Sequence, residues 1–100
     1  MNQQQLMKQV QQMQQQMQKI QAELGETIVE GTAGGGAVIV TMNGHRDIQA
    51  IKLNPEIVDP DDVEMLQDLI LAAINDGVRV ANELQEERLG PLAKGMPGLF

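Results

Sequence analysis

The chain reads as one α+β domain in which two helices bracket a three-stranded antiparallel β-meander, in the order α-β-β-β-α. Three observations predict this. Apolar residues recur in steps of three and four over Leu6–Leu24 and again over Val63–Leu84. Short runs rich in β-branched residues lie between them: ETIVEGT, AVIVTMN and a third from Asp47 to Leu53. Asn54-Pro55 then closes the last strand, and Asp59-Pro60 opens the second helix.

In the first helix the apolar seam is Leu6, Val10, Met13, Met17, Ile20 and Leu24, a heptad register that a structureless glutamine tract would not keep. Glutamine favours helix, and Gly25 is the expected stop. Gly34-Gly35-Gly36 reads as a loop tolerating positive φ, and Asn43-Gly44 as a two-residue hairpin turn. Asp59 suits the N-cap of the second helix, Pro60 its first position, and Asp61, Asp62 and Glu64 complement its dipole. Ala73, Gly77 and Ala81 leave room for another backbone to come close. An interior glycine costs a helix about 1 kcal/mol, so Gly77 is expected to serve packing. Arg88–Gly90 is the expected helix end. Residues 1–90 thus form the domain, and residues 91–100, rich in Gly and Pro, a flexible tail.

Composition narrows the function. One Phe and no Tyr or Trp limit what a core of this size can bury, so self-association is expected. The absence of cysteine removes disulfides and thiolate metal sites. Without a signal-length or membrane-length apolar run, a soluble cytoplasmic protein is expected.

No catalytic pattern emerges. His45 stands alone after the hairpin turn, and Asp59–Asp62 lacks the spacing of a calcium loop. The triple glycine lacks the Gly-Lys-Ser/Thr and following helix of a phosphate loop. The expectation is a protein that is not an enzyme, with no cofactor, metal or small-molecule substrate.

Charge points elsewhere. The net charge is −7, yet residues 1–22 carry Lys8 and Lys19 and no acid. Residues 56–87 hold ten acids against the single base Arg79. Eleven residues separate the two lysines, which places them about 20° apart around a helix and about 16 Å along it, roughly 150° from the seam. Gln5, Gln12, Gln15 and Gln16 share that face and offer side-chain donors. Such a surface can lie along phosphates with low sequence specificity, since few side chains here could read base edges, and without aromatic side chains duplex DNA suits it better than stacked single strands.

GGGAVIVTMNG, IKLNPEIV and DDVEMLQDLILAAINDGV, with the Gln/Met/Lys-rich first helix and GMPG at Gly95–Gly98, resemble the YbaB/EbfC family of bacterial nucleoid-associated proteins. The resemblance covers essentially the whole chain. It implies an α-β-β-β-α homodimer with projecting helices, double-stranded DNA as partner, a cytoplasmic nucleoid location and no catalysis. It also implies DNA contacts from both terminal helices, which here means Lys8 and Lys19 on the first and Arg79 and Arg88 on the second, and Gln12 and Gln15 on the lysine face read above join them as expected contacts. Two departures are visible: Gly77 stands where relatives often carry Ala, and no basic, Gly-rich extension precedes the first helix. The alternative is a protein-interaction module. Helices flanking a β-hairpin also resemble prefoldin-like chaperone subunits, and Met7, Met13 and Met17 offer an adaptable apolar surface.

Overall fold

The computed structural model describes residues 2–95. Its elements follow the expected order: α1 (Gln3–Glu26), β1 (Ile28–Ala33), β2 (Val38–Asn43), β3 (Ile48–Leu53), a 3₁₀ turn (Pro55–Ile57) and α2 (Val63–Gly95). The strands form one antiparallel sheet in the order β1-β2-β3.

Register explains the core. Val38, Val40 and Met42 alternate along β2 onto one face and are fully buried there. Opposite them on β1 stand Ala33, Gly31 and Val29. α2 lies over this face and seats Ala73 and Ala81, both fully buried, against it. The small residues act as expected. A Cβ on Gly31 would fall 2.1 Å from the Ala73 carbonyl oxygen and 2.2 Å from the Gly77 nitrogen, so strand and helix backbones nearly touch. A Cβ on Gly77 would fall 2.4 Å from the Met42 Cε.

Several boundaries differ from expectation. Gly25 does not stop α1, which begins with Asn2 capping the Gln5 amide and runs to Thr27, whose N–H and hydroxyl both donate to the Glu23 carbonyl. A Cβ at Gly25 would meet the His45 ring at 3.4 Å, an ordinary van der Waals contact. The Asn43-Gly44 turn is longer than two residues. Arg46 takes the left-handed conformation at φ 69°, and the Asn43 N–H reaches the Asp47 carbonyl across the loop. The N-cap of α2 is Asp62, which accepts from the Met65 N–H, and not Asp59. Asp59 caps a preceding turn, accepting from the amides of Asp61 and Asp62, and Pro60 fits the second position of that turn.

α2 also continues past Arg88–Gly90, through Pro91 to Gly95. Leu89 and Leu92 are half-buried on these turns. Residues 96–100 of the expected tail lie outside the described residues. The triple glycine behaves as read, with φ of 64°, 68° and 91° at Gly34, Gly35 and Gly36.

Candidate nucleic-acid interface

The molecule is long for its size, with extents of 70 × 21 × 16 Å and a radius of gyration of 19.3 Å, where a compact chain of this length has about 13 Å. α1 accounts for much of this. Its 24 residues span about 36 Å, and its fully buried residue is Leu24, near the end that enters the sheet. At the other end Leu6 is 54% exposed, Met7 62% and Val10 41%, so even the apolar seam leaves the body there. α1 is an arm.

What holds the arm is a polar knot at the β2–β3 turn. The Asn43 side chain, almost fully buried, uses its whole hydrogen-bonding capacity. Its Nδ2 donates to the Gly25 carbonyl at 3.2 Å and to the Asp47 carboxylate at 3.1 Å. Its Oδ1 accepts from the amides of His45 and Asp47. The Gly44 N–H donates to the carbonyls of Leu24 and Thr27, and the His45 Nε2 lies 2.8 Å from the Gln21 carbonyl, to which it donates. From α2, Gln85 donates to the Gly44 carbonyl and Asn82 accepts from Arg46. Nothing can be added at Gly44, where a Cβ would stand 2.7 Å from the Leu24 carbonyl oxygen. Sequence reasoning found Asn43-Gly44 as a turn, but its role as the anchor of two helices depends on contacts far apart in the chain.

Beyond the knot, Lys8, Gln12, Gln15 and Lys19 are all exposed and belong to one continuous strip. One shallow groove on the arm is lined by Gln5, Lys8, Gln9 and Gln12, and the next by Gln12, Gln15, Gln16 and Lys19. Gln12 is common to both. Among the described residues neither lysine enters an ion pair.

The arginines are placed otherwise. Arg79 bridges Asp76 at 3.0 Å and Glu83 at 2.9 Å along α2, and its guanidinium is held above its usual range chiefly by the hydrogen bond to Asp76. Asp76 accepts in turn from the Thr32 amide on the edge of β1 at 3.0 Å. That bond first, and Arg79 second, hold its carboxyl below the ordinary value. Arg88 stands beside Glu23 of α1 at 3.8 Å. The two arginines are therefore not joined to the lysine strip as free cations.

A second surface is apolar. Ile48 and Ile51 stand opposite Met42 and Val40, so they share the core face of the sheet, yet they are 47% and 46% exposed. α2 covers β1 and β2 and leaves this part of β3 open. A register shift between Thr41 and Met42 brings Ile48 onto that face, a detail no alternation pattern reveals. Among the described residues no three His, Cys, Asp or Glu side chains group to hold a metal ion, and no helix is long and apolar enough to cross a membrane.

A three-stranded sheet clamped by one helix, with a second helix projecting an acid-free Lys/Gln face, defines a small α+β protein with a cationic arm. The chain belongs to the YbaB/EbfC DNA-binding family, whose profile matches residues 1–96. It is 67% identical to a nucleoid-associated protein of Chloroflexus aurantiacus over 100 residues, all of both chains. It is 64% identical to a nucleoid-associated protein of a Roseiflexus species over 96 residues, 96% of this chain and 95% of that one. The fold matches the crystal structure of an uncharacterized Helicobacter pylori protein with a TM-score of 0.74 at 26% identity, over 98% of this chain and 99% of the other.

Proposed function

We propose that the chain is a nucleoid-associated protein acting as a homodimer that grips duplex DNA through its α1 arms, mainly by phosphate contacts and with low sequence specificity, in an architectural or regulatory role. The observation that carries this is the exposed, acid-free strip from Lys8 to Lys19 on a chain of net charge −7. Family membership and the nucleoid-associated relatives support it. Lys8 and Lys19 make the principal phosphate contacts, with Gln12 and Gln15 between them. Arg88, paired at the longer distance, and then Arg79, held by two carboxylates, contribute less, because each must first leave its partner. The exposed face of Ile48 and Ile51 supports the homodimer, since a second copy covers an apolar surface that one copy leaves in water. The protein works in the nucleoid, within the cytoplasm, and performs no chemistry on its partner.

Two lysines on each of two arms make about four phosphate contacts, for a salt slope near −3.6. Gel-shift titrations with purified protein should show affinity falling about a hundredfold between 50 and 200 mM salt. Lys8→Glu combined with Lys19→Glu should remove the shift and leave the helical circular-dichroism signal unchanged. Undiminished affinity in that variant would sink the arm reading. The exposed Leu6, Met7 and Val10 favour the second reading, a partner helix or unfolded client on the arm. Suppression of client aggregation without any DNA shift would establish it instead.

A further inference from the structure

The sequence holds one Asn-Gly pair, Asn43-Gly44, and the fold places it where the arm joins the body. A glycine after asparagine leaves the backbone nitrogen unhindered for attack on the side-chain amide. The knot nevertheless requires both residues. An amide of this length accepts from the His45 and Asp47 N–H groups while donating to Gly25 and Asp47. At position 44 a Cβ would stand 2.7 Å from the Leu24 carbonyl oxygen. We infer that Asn43-Gly44 is a deamidation site that the knot holds closed, and that its conversion to aspartate or isoaspartate detaches the α1 arm.

In this reaction the Gly44 amide gives its proton to hydroxide, and its nitrogen forms a bond to the Asn43 Cγ. The Cγ–Nδ2 bond breaks, and the leaving nitrogen takes a proton from water to depart as ammonia. The succinimide ring then adds water at either carbonyl, giving aspartate or isoaspartate. One amide and one water become one carboxylic acid and one ammonia, with nothing oxidised or reduced. The folded chain opposes ring closure at both reacting atoms. The Gly44 N–H donates to the carbonyls of Leu24 at 2.8 Å and Thr27 at 3.0 Å, which hold its proton and turn its nitrogen toward α1. Four hydrogen bonds pin the Asn43 amide, and the residue is only 7% exposed, which keeps hydroxide away. Closure therefore waits for the knot to open.

The two halves of the Asn43 side chain act on different parts of the molecule. Its Oδ1 holds the β2–β3 turn, and an aspartate oxygen can take its place. Its Nδ2 ties the root of the arm through Gly25 at 3.2 Å and Asp47 at 3.1 Å, and aspartate has no donor to offer there. A carboxylate at that point faces the Gly25 carbonyl and the Asp47 carboxylate, in a buried place where like charges cost most. Isoaspartate also lengthens the main chain by one carbon, which moves the Gly44 N–H off the Leu24 and Thr27 carbonyls. The sheet and its contact with α2 are left in place, because they are built from other residues. On the DNA reading above, a converted chain loses its grip. That consequence rests on the DNA reading, and the release of the arm does not.

Peptide mass mapping would follow Asn43 in the full chain held in mildly alkaline buffer, with and without denaturing urea. The unfolded chain should convert at least about a hundredfold faster than the folded one. Gln85→Ala removes the donor to the Gly44 carbonyl and keeps a good helix former on α2. It should speed conversion in the folded chain about three- to tenfold, with circular dichroism unchanged. Equal rates in the folded and unfolded chains would overturn the inference, as would a Gln85→Ala rate equal to native. Amide hydrogen exchange read by NMR would then compare the native chain with Asn43→Asp. Protection at Gly44 should be lost while Val40 and Ala73 keep theirs. The chain converted in buffer, separated by its added negative charge, gives the same reading without any substitution. Undiminished protection at Gly44 in the converted chain would overturn the release of the arm.

Discussion

The contact of β1 with α2 and the arm of α1 are opposite solutions within one short chain. At the first, Gly31 and Gly77 bring two backbones so close that a single methyl group on Gly31 has nowhere to go. At the second, side chains stand in solvent along most of a 24-residue helix. The first region spends its residues on fit, and its tolerance for change is small. The second spends them on chemistry presented outward, and its stability depends on helix propensity, on the burial of Leu24 and on one polar knot.

Four measurements can break or sharpen that contrast. The largest effect is expected from Gly31→Ala, whose Cβ meets backbone atoms at 2.1 and 2.2 Å. Urea unfolding should show a loss of more than about 3 kcal/mol, or no cooperative transition. Gly77→Ala is the control. There the clash is with the flexible end of Met42, and the alanine returns about 1 kcal/mol of helix propensity, so the net change should stay within about 1 kcal/mol. Equal losses in the two variants would refute a backbone contact at Gly31.

Next comes Ile51→Glu. If a second copy covers the core face of β3, sedimentation should show dimer dissociation rising at least about a hundredfold, since each copy loses a buried isoleucine. An unchanged association constant would place the dimer contact elsewhere. The arm variant Lys8→Glu, Lys19→Glu tests the other side of the contrast: it should leave the free energy of unfolding in urea within about 0.5 kcal/mol of native while it abolishes DNA binding.

The smallest effect is expected at Asp76. Its carboxyl is depressed first by the Thr32 amide and then by Arg79. A depressed carboxyl stabilises the fold above its unfolded value, ordinarily 3.8, and that contribution disappears as pH falls through the lower folded value. The stability gap between native protein and Asp76→Asn should therefore close as pH falls below 3.8, and a gap constant down to pH 2 would count against a carboxylate held by the Thr32 amide and Arg79.

The order of elements was legible because period is local. A four-three step means helix, β-branched runs between glycines mean strands, and both survive any tertiary arrangement. Boundaries were less legible for reasons of contact. Gly25 reads as a stop, yet α1 runs on to Glu26, and the Thr27 N–H and hydroxyl close it on the Glu23 carbonyl. Pro60 reads as a first helical position, yet Asp59 and Asp62 divide turn and cap between them. Gly90-Pro91 reads as a break, yet α2 passes through it where Leu89 and Leu92 are half-buried. Among the proposed DNA-contacting residues, the lysine and glutamine positions followed from helical geometry. The engagement of Arg79 by Asp76 and Glu83 lay within one helix and was readable from its spacing of three and four. The reach of Asp76 to Thr32 was not.

By itself the sequence determined the elements, the loop of positive φ and the placing of two lysines and two glutamines on one helix face. Each rests on the 3.6 or 2.0 period or on a single residue's conformational freedom. Only the tertiary structure decided which apolar residues are buried. Val40 and Ile51 face each other across one ladder, but α2 covers the first and leaves the second half in water. The same chemistry thus became core in one strand and exposed surface in the next, because burial depends on what arrives from elsewhere in the chain.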